Sequence, residues 1–339
     1  MSDRACILGC AGPALSREEA AFFRDVKPWG FILFGRNVET PNQVRRLTAA
    51  LRETVDRPDA PILIDQEGGR VQRLKAPHWR TYPPGRAYGQ LAGNDPLLKR
   101  EIARLGARLI AHDLTELGIN VDCVPVLDVP DPSGHEIIGD RAYGPTPEEV
   151  ASLGRAAAEG LIAGGVLPVI KHIPGHGRAK ADSHMELPVV EASYADLDGR
   201  DFPPFRALSD MPMAMSAHVI FTAVDAKRPA TTSRKVNRQV IRGAIGFDGL
   251  LMTDDLSMKA LSGDFTQRAR DSLAAGCDVV LHCNGDMGEM KAVVAGTGAL
   301  KGRAARRAQA ALARIPRAPE PFDVAESVAR FDAALGLAA

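Results

Sequence analysis

The chain predicts an α/β protein, a single (β/α)8 TIM barrel with extra C-terminal helices, and three observations carry that expectation. Short apolar runs suited to fully buried strands recur eight times along the 339 residues. Stretches with apolar residues at three and four spacing lie between them. Buried strands alternating with amphipathic helices make a parallel sheet covered on both faces. Eight such units in about 300 residues suit a closed barrel better than an open doubly wound sheet. No Gly-x-Gly-x-x-Gly follows any strand, which weakens a dinucleotide-binding alternative.

In order, the strand runs are residues 5–9, 31–35, 62–65, 121–129, 167–170, 214–221, 249–252 and 278–282, and helical spacing is clearest at 101–117, 147–163 and 236–246. No Pro- or Ser-rich linker or shift in composition divides the chain. It therefore reads as one catalytic domain, 1–339, with 301–339 as peripheral helices packed outside the barrel.

Composition excludes several classes of function. The 42 basic and 42 acidic residues cancel, so nothing global draws the protein to nucleic acid or to an anionic membrane. The densest basic stretch, with Arg303, Arg306, Arg307, Arg314 and Arg317 among alanines, reads as a solvated helix face. Cys6, Cys10, Cys123, Cys277 and Cys283 are odd in number and scattered, making neither a disulfide framework nor a zinc box, and a reducing cytoplasm fits them best. Ile7-Leu8-Gly9-Cys10 looks like the end of a lipoprotein signal, but the residues before it are too few and include Asp3. No window approaches the roughly 20 apolar residues that span a bilayer. A monomer acting on a small molecule, without cofactor or metal, is the expectation.

In a barrel, the residues that follow the strands share one face, where such enzymes carry their sites. Asp65-Gln66-Glu67-Gly68-Gly69-Arg70-Val71-Gln72-Arg73 follows the third run, Thr253-Asp254-Asp255 the seventh, and the fourth leads through Asp128 to Gly139-Asp140-Arg141. Each has a plainer reading. Asp65 can cap a turn, Arg141 can pair with Asp140, and one of Asp254 and Asp255 can be an N-cap. His218 and His282 read as core histidines. Residues 171–184, Lys-His-Ile-Pro-Gly-His-Gly-Arg-Ala-Lys-Ala-Asp-Ser-His, are denser in chemistry than any other stretch. Asp182 two residues from His184 can orient the imidazole and favour its protonated form, which is acid/base hardware.

Two chemistries compete on these residues. A metal hydrolase could use His172, His176, His184 and Asp254, but three of the histidines share one glycine-rich loop, and no His-x-His follows the first strand. Retaining glycoside hydrolysis needs a carboxylate nucleophile and a separate acid/base group; Asp254 can be the first and the Asp182–His184 pair the second, although a histidine acid departs from the usual pair of carboxylates and needs independent support. A phosphorylase using the same residues and a non-catalytic carbohydrate-binding protein also remain open.

Residues 64–73, 171–177 with Asp182-Ser183-His184, and Thr253-Asp254-Asp255-Leu256-Ser257-Met258 together resemble the bacterial β-N-acetylglucosaminidases of glycoside hydrolase family 3. The resemblance implies a cytoplasmic (β/α)8 barrel of peptidoglycan recycling that removes N-acetylglucosamine from 1,6-anhydro-N-acetylmuramoyl peptides. It implies Asp254 as nucleophile, His184 as general acid/base and Asp182 as its partner. Asp65, Arg73, Arg141, Lys171 and His172 then bind the non-reducing sugar. Ile173 stands where phenylalanine is commoner. Arg141 is the transfer least anchored by motif, Pro174-Gly175-His176-Gly177 is expected to flex, and His176 has no role.

Overall fold

The structure, a computed structural model, describes residues 3–132, 134–183 and 186–336. Eight parallel strands close a barrel: β1 (Arg4–Leu8), β2 (Pro28–Leu33), β3 (Ile62–Ile64), β4 (Val121–Asp122), β5 (Leu167–Ile173), β6 (Met213–Ser216), β7 (Leu250–Asp255) and β8 (Val279–His282). Closure comes from β1 pairing with β8, Cys6 opposite Val280.

Strand periodicity explains why both faces are apolar. Ile7, Ile32 and Leu63 point inward into a cluster with Val121, Val169, Met215 and Leu281. Their neighbours Leu8, Phe31, Ile62 and Ile64 join an outer cluster with Val44, Leu47 and Leu51 of the helix Pro41–Val55. At about 25 cal/mol per Å² of apolar surface buried, these two layers are the main source of stability.

The (β/α)8 class is as predicted, and the differences have local causes. The expected strand at 121–129 is cut to two residues, because Pro125 has no N–H to give to the ladder. Beyond it the chain rejoins β5 through a bridge between Val126 and Lys171. The run at 214–221 splits, with Ile220–Phe221 pairing Val189–Val190 in a separate small sheet. β5 runs past residue 170 to Ile173, so Lys171 and His172 are strand residues rather than loop residues.

The helix at 147–163 is found as Pro147–Ala163, started by Thr146, whose hydroxyl accepts from the Glu149 N–H. The helix expected at 101–117 begins earlier, at Pro96, behind an Asp95 cap. Residues 236–244 form a π-helix, Val236–Ala244.

The basic alanine-rich stretch does more than present a solvated face. Its helix, Gly302–Leu312, inserts Ala308 and Ala311 into the inner cluster. Arg307 bonds Asp248 and Asp278, which precede β7 and β8, so the helix lies beneath the N-terminal end of the barrel. The last helix, Val324–Leu335, buries Phe331 against Tyr82 and Tyr88 on the outer wall. Among the described residues no helix is long and apolar enough to cross a membrane.

Candidate active site

At the C-terminal end of the barrel a cavity of about 340 Å³ is lined by Asp65, Glu67, Arg141, Lys171, His172 and Asp254 among others. Each arrives from a strand exit, the arrangement that barrels use to converge side chains from distant parts of the chain. Asp65 directly follows β3 and opens a hairpin, Gln66–Gly68 paired with Val71–Gln72, which the sequence reading did not foresee. The hairpin is fastened by buried Gln66, whose Oε1 accepts from the N–H groups of Arg73 and Leu74, both at 3.0 Å. Gly68 is obligatory there: its φ is +96°, and a Cβ would lie 2.2 Å from the Pro83 carbonyl oxygen.

Two carboxylates and three cations alternate along one wall. Arg73 donates to Asp65 at 3.0 Å, and Lys171 Nζ lies 2.9 Å from Asp65 and 2.7 Å from Glu67. Arg141 grips Glu67 with two bonds of 2.8 Å. Burial alone would favour the neutral carboxyls. The neighbouring cations prevail, holding Asp65 below the usual carboxylate range and Glu67 down to about 2. Burial likewise opposes the charge on Lys171, and the two carboxylates more than offset it. The Arg73 guanidinium also stacks over the Phe34 ring at 4.8 Å.

His172 is set by Asp128, a wholly buried carboxylate beyond β4 that takes His172 Nδ1 at 2.7 Å and the His176 backbone N–H at 2.6 Å. That bond assigns a proton to Nδ1 and fixes the orientation of the ring. Asp254, at the end of β7, lines the same cavity. Burial raises its pKa, but the charges of His172 and His218 and the Asp255 N–H bring it below its ordinary value, so it is ionised at neutral pH. Such a carboxylate is a competent nucleophile.

The plainer readings are resolved residue by residue. Arg141 pairs with Glu67, while Asp140 pairs with Arg70 at 2.9 Å. Asp255 is the turn residue of its pair, accepting the N–H groups of Ser257 and Cys283, both at 3.1 Å. Asp65 carries an ion pair rather than a cap. His218 is wholly buried with both ring nitrogens bonded, Nδ1 to Thr231 at 2.7 Å and Nε2 to the Asp255 carbonyl at 3.0 Å. It thus supports the strand that presents Asp254. Asp182 is half-buried, and His184 lies outside the described residues.

The Pro174–Gly177 segment, expected to flex, is buried and fastened instead. Gly177 sits so close to the Val129 carbonyl that a Cβ would approach its oxygen to 1.8 Å. Arg178 then bonds Asp201 at 2.7 Å and Asp131 at 3.3 Å. Glu67 and Asp128 are the site residues that sequence reasoning missed. Glu67 stands two residues from Asp65, which was its available signal, and Asp128 closes the apolar run Val126-Leu127. Among the described residues no group of three His, Cys, Asp or Glu side chains is placed to hold a metal.

An ionised carboxylate opposite a fixed ladder of charged hydrogen-bonding groups, at the mouth of a (β/α)8 barrel, defines an enzyme for a small polar substrate. The chain belongs to glycosyl hydrolase family 3, whose N-terminal-domain model matches residues 8–318, and it is a glycoside hydrolase. A β-hexosaminidase of Nitrosomonas eutropha is 38% identical over 282 residues, covering 82% of this chain and 80% of that protein. The crystal structure of native NagZ from Neisseria gonorrhoeae matches with a TM-score of 0.87 at 32% identity, over 100% of this chain and 99% of that one. The same Neisseria protein in complex with N-trifluoroacetyl-D-glucosamine matches at a TM-score of 0.86 and 32% identity, again over 100% and 99%.

Proposed function

We propose that the protein is a retaining exo-β-N-acetylglucosaminidase that removes terminal N-acetylglucosamine from 1,6-anhydro-muropeptides in cytoplasmic peptidoglycan recycling, acting as one catalytic domain. The observation that carries this reading is a single cavity lined jointly by ionised Asp254 and the Asp65–Lys171–Glu67–Arg141 ladder. The N-acetylglucosamine specificity is supported by the β-hexosaminidase relatives and by the Neisseria structure that holds an N-acylated glucosamine.

In the proposed mechanism, Asp254 attacks the anomeric carbon as His184 protonates the departing glycosidic oxygen, and a covalent glycosyl-enzyme forms. His184 then takes a proton from water, which attacks the same carbon and releases the sugar with its configuration retained. His184 is assigned on its motif, with Asp182 as partner. Asp65, Arg73, Arg141, Lys171 and His172 hold sugar hydroxyls and need no rearrangement, because ion pairs among them and with Glu67 and Asp128 already fix them.

The test is hydrolysis of a chromogenic β-N-acetylglucosaminide with and without chelator and phosphate, the first-formed anomer being read by NMR. Release of the β-anomer, unaffected by either addition and far faster than on the matching glucoside, is expected. An α-anomer would exclude retention, a sugar phosphate would indicate phosphorolysis, and loss of turnover in chelator would bring the metal reading back.

A further inference from the structure

His176 lies at the heart of the site, and the mechanism above leaves it unused. Its ring is buried, packs edge-on to His172 with centroids 5.8 Å apart, and lines the cavity. Its main chain is held by Asp128 on one side and by the tight seat of Gly177 on Val129 on the other. From that base Nε2 reaches the Ser183 hydroxyl at 3.2 Å. Ser183, also buried, is held from the opposite side, where its carbonyl accepts the Ala260 N–H at 3.2 Å, in the stretch that follows β7.

We propose that His176 is a positioning residue whose imidazole holds the Ser183 hydroxyl and so fixes the chain at the residue that joins Asp182 to His184. The inference rests on the reading of His184 as acid/base. Three features favour it over simple core filling. His176 Nδ1 has no hydrogen-bond partner among the described residues, so a phenylalanine of similar shape would fill the space without burying an unmatched polar atom. The bond that His176 does make goes to the residue between Asp182 and His184. Burial pushes the imidazole down to about 4, so it stays neutral across the working pH range and is unsuited to shuttle the proton itself.

The test uses the dependence of rate on the leaving group. An aryl N-acetylglucosaminide with a 2,4-dinitrophenyl group departs without protonation, whereas one with an unactivated phenol needs the acid. His176→Phe and Ser183→Ala, made in the full-length enzyme, should each lower kcat/KM on the unactivated substrate by about 10- to 100-fold, with much smaller losses on the dinitrophenyl substrate. The double variant should be no slower than the worse single one. Equal losses on both substrates, additive losses, or wild-type rates would overturn the inference. Should His176→Phe fail to fold, Ser183→Ala decides alone, since it removes only the hydroxyl. His184→Gly is the control: if it lacks leaving-group selectivity, the acid/base reading falls and this inference with it. If it shows selectivity and the two variants do not, only the positioning role falls.

Discussion

Lys171 both lines the cavity and holds its wall together. Its ammonium lies between half-buried Asp65 and buried Glu67. Lys171→Met would leave two carboxylates facing each other without their shared cation, so a stability loss of about 3–5 kcal/mol is expected by urea denaturation. Lys171→Arg should fare poorly too, because a planar fork does not replace a compact charge between two carboxylates. Asp254→Ala should lower kcat on the order of 10⁴-fold while leaving the thermal midpoint nearly unchanged. It should also abolish the adduct formed with a fluorinated sugar, detectable by intact-protein mass spectrometry. An adduct that survives would move the nucleophile elsewhere, first to Asp255. At this scale Asp65, Arg73, Lys171, His172 and Asp254 were legible because each stands directly at a strand exit or in a dense motif. Glu67 was passed over although it stands two residues from Asp65, because its partner Lys171 lies more than 100 positions away in the chain.

The connecting elements decide how those residues are aimed. The segment after β5 contains two glycines and was expected to be loose, yet composition only permits a turn. The Val129 carbonyl and the Asp128 carboxylate make it rigid. Gly177→Ala must push the segment off Val129, and a loss of about 1–3 kcal/mol is expected together with a clear fall in kcat. A fully active variant of unchanged melting temperature would show that the segment yields. The hairpin after β3 was equally hidden, because its strands are three and two residues long and carry no alternation long enough to read. Pro125 marked the opposite case, a local signal strong enough to shorten β4 that a reading by apolar runs passed over.

Across the whole molecule, the candidate site and the closing helix occupy opposite ends of the barrel. The helix Gly302–Leu312 seals the N-terminal end with Ala308 and Ala311, far from Asp254. Ala308→Glu would place an unpaired charge in the inner apolar cluster, so thermal stability should drop sharply. The KM of the remaining folded enzyme should be unchanged, and a KM shift would mean that the two ends are coupled.

Acid should act at the other end. Glu67 titrates near 4.5 when unfolded and near 2 in the fold, where Arg141 and Lys171 overcome the effect of burial. Because the folded value is the lower one, its stabilising contribution is complete above about pH 4.5 and is lost as pH falls towards 2. Unfolding free energy measured from pH 6 to 2 should therefore fall more gently in Glu67→Gln than in the parent, although the variant begins less stable.

The sequence by itself determined the barrel and most of the groups at its mouth, because strand burial, helical spacing and strand-exit chemistry are local properties written in consecutive residues. Only the tertiary structure decided the pairing of Lys171 with Glu67, the holding of His172 by Asp128, the tight seat of Gly177 and the capping of the barrel by an arginine-rich helix. Each of these depends on charges and surfaces brought together from remote parts of the chain. Their energies arise from proximity and burial, which exist only once the barrel has closed.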